Sequence, residues 1–102
     1  MSTEVVSLED VDAEPHAVLF DDEPKTIRLA LSAGDEIATH SHPDRQIVFH
    51  VLSGDLVVSL DDETHELGPG DVARFDGDRE ISPRAREDSI ALLVLAPRAS
   101  SA

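Results

Sequence analysis

The chain has no cysteine, tryptophan or tyrosine, and only three phenylalanines, one methionine and one lysine. Without thiols there is no disulfide framework, no thiolate nucleophile and no thiolate zinc site. With so few aromatic rings the core has to be aliphatic. Basic residues number eight against 22 acids, and nothing gathers them into a patch, which excludes a nucleic-acid partner. No apolar run approaches the roughly 20 residues that a bilayer span needs. The opening MSTEVVSLEDVDAEP lacks the basic start and apolar centre of a signal peptide, so the expectation is a soluble cytoplasmic protein with no membrane partner.

What is present in excess is negative charge, a formal −14. Self-repulsion on that scale destabilises a compact chain until salt shortens the screening length, to about 3 Å at 1 M. The acids are scattered from Glu4 to Glu87 rather than blocked, which fits a solvated surface adapted to a salt-rich cytoplasm, as in a halophilic archaeon.

At 102 residues the chain is expected to be one domain. No window of helical length carries a 3.6-residue period, whereas short apolar runs separated by turn residues recur along the whole length. His16 to Phe20 is a short apolar piece, and Asp21-Asp22-Glu23-Pro24 is turn chemistry. Lys25 to Leu31 alternates as a half-buried antiparallel strand, with Ile27, Leu29 and Leu31 on one face and Thr26 and Arg28 on the other. Later strands are expected over the segment carrying His40, then Gln46 to Leu52, Leu56 to Leu60, Thr64 to Leu67 and Val72 to Phe75. Glu80 to Ser82 is expected to stop at Pro83, and Ser89 to Ala96 reads as a strand covered on both faces. Eight to ten short strands on this spacing predict an all-β sandwich or barrel. Residues 1 to 24 supply an N-terminal strand, an exchanged strand or an arm.

The chemistry concentrates between Gly34 and Gly54. Along a strand, residues i and i+2 share a face, so His40 and His42 point the same way and form half of a metal site. Gln46 is a weaker oxygen donor. If Gln46 shares their face, so does His50, which would then complete the site; if Ile47, Phe49 and Val51 face inward instead, His50 lies outside or at a subunit contact. His16 and His65 read as surface residues. Ser41 points away from the two histidines, and no Ser-His-Asp arrangement is readable from spacing.

Gly34, five residues, His40-Ser41-His42, three residues, Gln46 and then Gly54 resemble the first motif of the cupin superfamily, G-x5-H-x-H-x3or4-E-x6-G. The chain is similar in particular to the small single-domain cupins of the conserved-barrel type. Gln46 stands at the carboxylate position counted from the histidines, and Ile47 when counted back from Gly54. The second motif, G-x5-P-x-G-x2-H-x3-N, begins at Gly70, but Asp76, Asp78, Ile81 and Ala85 occupy its proline, glycine, histidine and asparagine positions.

The resemblance spans about residues 26 to 96 and implies an all-β cupin-type antiparallel barrel, a double-stranded β-helix or jelly roll. It also implies a homodimer, for which the apolar residues of the N-terminal segment are a second reason. In metal-binding members three histidines and one glutamate hold iron, manganese, nickel, copper or zinc; here the candidates are His40, His42, Gln46 and His50. Three functions follow as expectations. The first is a degenerate metal or small-ligand site inside the barrel, the second a divalent-metal dioxygenase or isomerase, and the third a packed structural or regulatory barrel.

Overall fold

The structure, a computed structural model, describes residues 3–98. Its strands are β1 (His16–Phe20), β2 (Lys25–Leu31), β3 (Arg45–Ser53), β4 (Leu56–Leu60), β5 (Glu63–Leu67), β6 (Val72–Asp76), β7 (Ile81–Ala85) and β8 (Ser89–Pro97). They form two antiparallel sheets, a five-stranded one in the order β1-β2-β8-β3-β6 and a three-stranded one in the order β5-β4-β7. No helix among the described residues is long and apolar enough to cross a membrane.

Alternation decides what lies between the sheets. From the larger sheet come Ile27, Leu29 and Leu31 of β2, Ile47, Phe49 and Val51 of β3, and Leu93 and Leu95 of β8; Leu56, Val58, Leu60 and Ile81 face them from the smaller sheet. Phe49 and Val51 have no exposed surface at all. This aliphatic core is the one that the scarcity of aromatics requires.

Three expectations need correction. The histidine-bearing segment is not a regular strand: it touches β7 at two isolated bridges, Glu36 with Arg84 and His40 with Ile81. Four residues advance on one side for three on the other, so the segment bulges between the bridges. Second, β7 runs through Pro83 rather than ending before it. The Pro83 carbonyl accepts from Ile37 N at 2.9 Å, so its missing N–H faces the bulged segment, where no regular ladder is interrupted. Third, β8 is fully covered on one face only: Ala91, Leu93 and Leu95 are buried, while Ile90, Leu92 and Val94 on the other face are half-buried.

The N-terminal segment is an arm laid against the larger sheet, with a single 3-10 turn at Leu8–Asp10. Arg28 holds it, donating to Val11 O at 2.8 Å and Ala13 O at 2.7 Å. Ala30 N donates to Pro15 O at 2.8 Å, which carries the arm into β1.

Candidate functional site

Strand β1 and the bulged segment border a small cavity between the sheets. Its walls are Ile27, Leu29, Ile47, Phe75, Ile81 and Leu93, and three imidazoles line it as well, His16, His40 and His42. Its volume is about 30 Å³. A space of that size holds an ion or one or two waters, not an organic molecule.

His40 and His42 both line the cavity, on a segment that is not the regular strand expected for them, with ring centroids 4.9 Å apart and planes at 88°. His40 Nδ1 lies 2.8 Å from Ala38 O. A ring nitrogen meeting a carbonyl carries the proton, so Nε2 of His40 presents its lone pair. The backbone holds both histidines in place: His40 N donates to Ile81 O at 3.0 Å, and His42 N to Gly77 O at 2.7 Å. Gly77 has to be glycine here, because a Cβ at that position would overlap the carbonyl oxygen of His42.

His16, read from the sequence as a surface residue, is exposed and also lines this cavity, a placement that the sequence did not indicate. It sits exposed on the edge strand β1 opposite Leu29, whose side chain faces the core. The register explains the miss. Phe20 pairs with Thr26 at the turn, and counting back evenly would set His16 opposite Ala30, on the outer face; the bulge between Val18 and Phe20 shifts it to Leu29. No composition cue at Val18-Leu19-Phe20 marks that bulge.

Gln46 and His50 are not brought to the cavity. Ile47, Phe49 and Val51 are the buried alternates of β3, so Gln46 and His50 share the opposite, outer face with Val48. His50 there pairs with Leu92 of β8 and Val72 of β6. Ile47 and Ile81 stand in the cavity at the positions where the motifs carry glutamate and the further histidine.

His42 and His16 are held toward their neutral forms. Burial pushes the His42 pKa below its ordinary value, reinforced by the nearby His40, His16, Lys25 and Arg45. His16 is lowered in the same way, by desolvation first and then by His40. Neutral imidazole is the form that binds a transition metal. The four-ligand set of the resemblance nevertheless does not fit: no carboxylate lines the cavity. Among the described residues, no group of three His, Cys, Asp or Glu side chains is placed to hold an ion.

The larger opening, about 260 Å³, lies away from the histidine pair between the edges of β5 and β6, floored by Val58, Leu60 and Phe75. Several of its rim charges pair with one another, while Arg74 stands exposed beside them. Arg79 bridges Asp61 and Glu63, each at 2.8 Å, and Glu63 also meets His65.

Comparison with known proteins agrees with this geometry. No curated protein matches the chain. Among solved structures, TT1209 from Thermus thermophilus is 26% identical, with a TM-score of 0.79, over 95% of this chain and 100% of that one. An uncharacterized double-stranded β-helix protein from Klebsiella pneumoniae is 20% identical with a TM-score of 0.81, over 98% and 95%. KdgF from Halomonas sp. is 23% identical with a TM-score of 0.72, over 87% of each chain. The last two likenesses speak to the fold alone. The cupin domain model matches residues 27–97, from β2 through the end of β8, and with it the chain belongs to the cupin family.

Proposed function

We propose that this cupin binds a divalent transition-metal ion at the cavity mouth through His40 and His42, leaving the remaining positions to water or a small anionic ligand. The observation that carries the reading is the relation between the two rings. Two imidazoles bound to one ion at about 2.1 Å, at an angle near tetrahedral, have centroids roughly 5 Å apart. The observed 4.9 Å is that spacing. The Ala38 carbonyl supplies the outer partner that fixes a ligating histidine, and the cavity has room for an ion.

A dioxygenase or isomerase would ask for more from the walls. The motif positions that would bring a carboxylate and a further imidazole hold Ile47 and Ile81, so the chain's own proton-moving groups at the cavity are its histidines. Binding, rather than turnover, is the function the lining supports.

The second part of the proposal concerns assembly. Val48, Ile90, Leu92 and Val94 form a half-buried apolar outer face on the larger sheet, in a chain of net charge −14. A second copy of the chain would cover it, giving the homodimer that the family resemblance implies.

The test is elemental analysis of untagged protein purified without chelator. Near-stoichiometric metal that disappears in His40→Ala and His42→Ala supports the reading. Metal-free protein that also fails to take up zinc, nickel or cobalt on dialysis overturns it.

A further inference from the structure

We propose that the opening between β5 and β6 is a binding site for a small organic monocarboxylate with an apolar, ring-sized body, its acid group paired with Arg74. The site is separate from His40 and His42 and does not depend on the ion.

The opening exists because the two sheets end unevenly. β5 is the edge of the three-stranded sheet and β6 the edge of the five-stranded one, and among the described residues no ladder joins them. Directly paired residues on antiparallel neighbours share a face. Glu63, His65 and Leu67 are paired with Leu60, Val58 and Leu56, so they point inward with those core residues. Even so, Glu63 and His65 are exposed and Leu67 is only half-buried. An inward face left uncovered marks a place where the opposite sheet stops short. Ala73, the inward residue of β6 opposite Phe49, deepens the gap, because a methyl group fills little of it.

Floor and size set the body of the ligand. Val58, Leu60 and Phe75 are buried apolar side chains, and they form the floor. The space is about 260 Å³. A cavity of about 150 Å³ accommodates benzene, so this one takes about ten non-hydrogen atoms, enough for a ring with a short acidic arm.

Charge sets the head group. Two arginines, Arg74 and Arg79, stand against one glutamate, Glu63, in the lining of this opening, in a chain whose net charge is −14. The openings beside Glu14 have the reverse sign: Glu14 and Asp88 line one, and Glu14, Asp35 and Glu36 the other. Arg79 already has its carboxylates, Asp61 and Glu63, each at 2.8 Å. The ion pairs of the described residues engage Lys25, Arg45, Arg79, Arg86 and Arg98, but not Arg74. In a chain where acids outnumber bases 22 to eight, an arginine left without a carboxylate beside an apolar hollow is suited to one brought by a ligand. Guanidinium and carboxylate match in a two-point contact, which a lysine would not give.

Nitrogen-15 NMR titrations test this on the metal-free protein, with chelator present and potassium chloride fixed. The probes are phenylacetate, phenylacetamide, phenethylamine and acetate. Phenylacetate is expected to bind with a dissociation constant of about a millimolar and to move the amide signals of Leu67, Ala73 and Phe75. Phenylacetamide and phenethylamine keep the ring without the negative charge and should bind about fivefold more weakly or worse. Acetate, which has the charge without the ring, should not saturate. Arg74→Gln is expected to weaken phenylacetate to the level of the amide. Arg84→Gln removes the same charge from an exposed arginine outside the opening and should bind as wild type. Ala73→Leu, which fills the hollow, should abolish binding of both ring compounds, and the dispersion of each variant's spectrum shows that it is folded. No binding of phenylacetate, equal affinity for phenylacetate and phenylacetamide, or equal losses in Arg74→Gln and Arg84→Gln would each overturn the assignment. The ion reading is untouched by any of these results, because no metal is present; it stands or falls on the elemental analysis.

Discussion

Arg28, on the outer face of β2, donates to the carbonyl of Val11 at 2.8 Å, across a sequence separation of 17 residues. An arginine only 5% exposed is the device that fastens the arm to the barrel. Its Nε has no hydrogen-bond partner, so the two terminal nitrogens carry the attachment. Hydrogen bonds from a charged group contribute about 1.5–3 kcal/mol each, from which the desolvation of the guanidinium must be subtracted.

Arg28→Met, which keeps the bulk and removes the donors, is therefore expected to cost about 2 kcal/mol of unfolding free energy. It should also free the arm for cleavage upstream of Pro15 under limited proteolysis. Wild-type resistance at those bonds in the variant would show that the arm is held by something else.

How far the sequence carried the fold is visible in β2 and β3. KTIRLAL alternates because Ile27, Leu29 and Leu31 enter the core, although Arg28 and Ala30 on the other face are buried too rather than half-exposed as expected, and Ile47, Phe49 and Val51 form a better inward set than Gln46, Val48 and His50. Those patterns are written in side-chain polarity, which a single sequence displays. The His16 position was not legible because it depends on a bulge in β1, and a one-residue shift reverses every face beyond it. The strand ending expected at Pro83 failed for a related reason. Whether a proline is tolerated depends on what lies beside it, and here its nitrogen meets a bulged segment that asks for no donor.

The apolar replacement at Ile81 can be reversed. Its side chain lines the histidine cavity, and its backbone is paired to His40 in both directions, at 3.0 and 2.7 Å. Ile81→His places an imidazole at the motif position and is expected to tighten zinc or nickel binding by about tenfold or more. The exchange gives up a buried isoleucine, so the metal-free variant should lose about 1.5–3 kcal/mol of stability. Isothermal titration and thermal melts with and without metal measure both. Unchanged affinity in a folded variant would mean that the cavity is not where the ion sits.

The histidine cluster gives a pH dependence whose sign is fixed by the direction of the shifts. His16 and His42 are both lowered from 6.5, so the unfolded chain binds protons at these sites more readily than the folded one. Their contribution to stability is present above 6.5 and is lost as pH falls through the lowered values. Overall charge works the other way, since a chain of pI about 4.4 repels itself less as it is acidified. The separation comes from comparing variants at fixed potassium chloride in metal-free buffer. Between about pH 7.5 and 5.5, wild type should lose melting temperature relative to His42→Gln. Parallel curves for the two proteins would show that burial at His42 is not coupled to folding.

The outer face of the larger sheet makes the last prediction, and charge sets its conditions. Leu92 lies between His50 of β3 and Arg28 of β2, beside Val48 and Val94, and Val72 on the neighbouring edge strand is 61% exposed. Apolar side chains standing half-covered on a central strand are a cost for a monomer and a contact for a second copy. Two chains of −14 each must approach to make that contact, so association should be weak at low ionic strength and strengthen as screening shortens to about 3 Å near 1 M salt. Sedimentation velocity in dilute and concentrated potassium chloride is expected to show a shift from monomer toward dimer. Leu92→Lys, which sets a charge at the centre of the face without touching the core, should hold the chain monomeric in both. A Leu92→Lys protein that still dimerises in high salt would place the contact on some other surface, and a wild type that stays monomeric in concentrated salt would remove the dimer altogether.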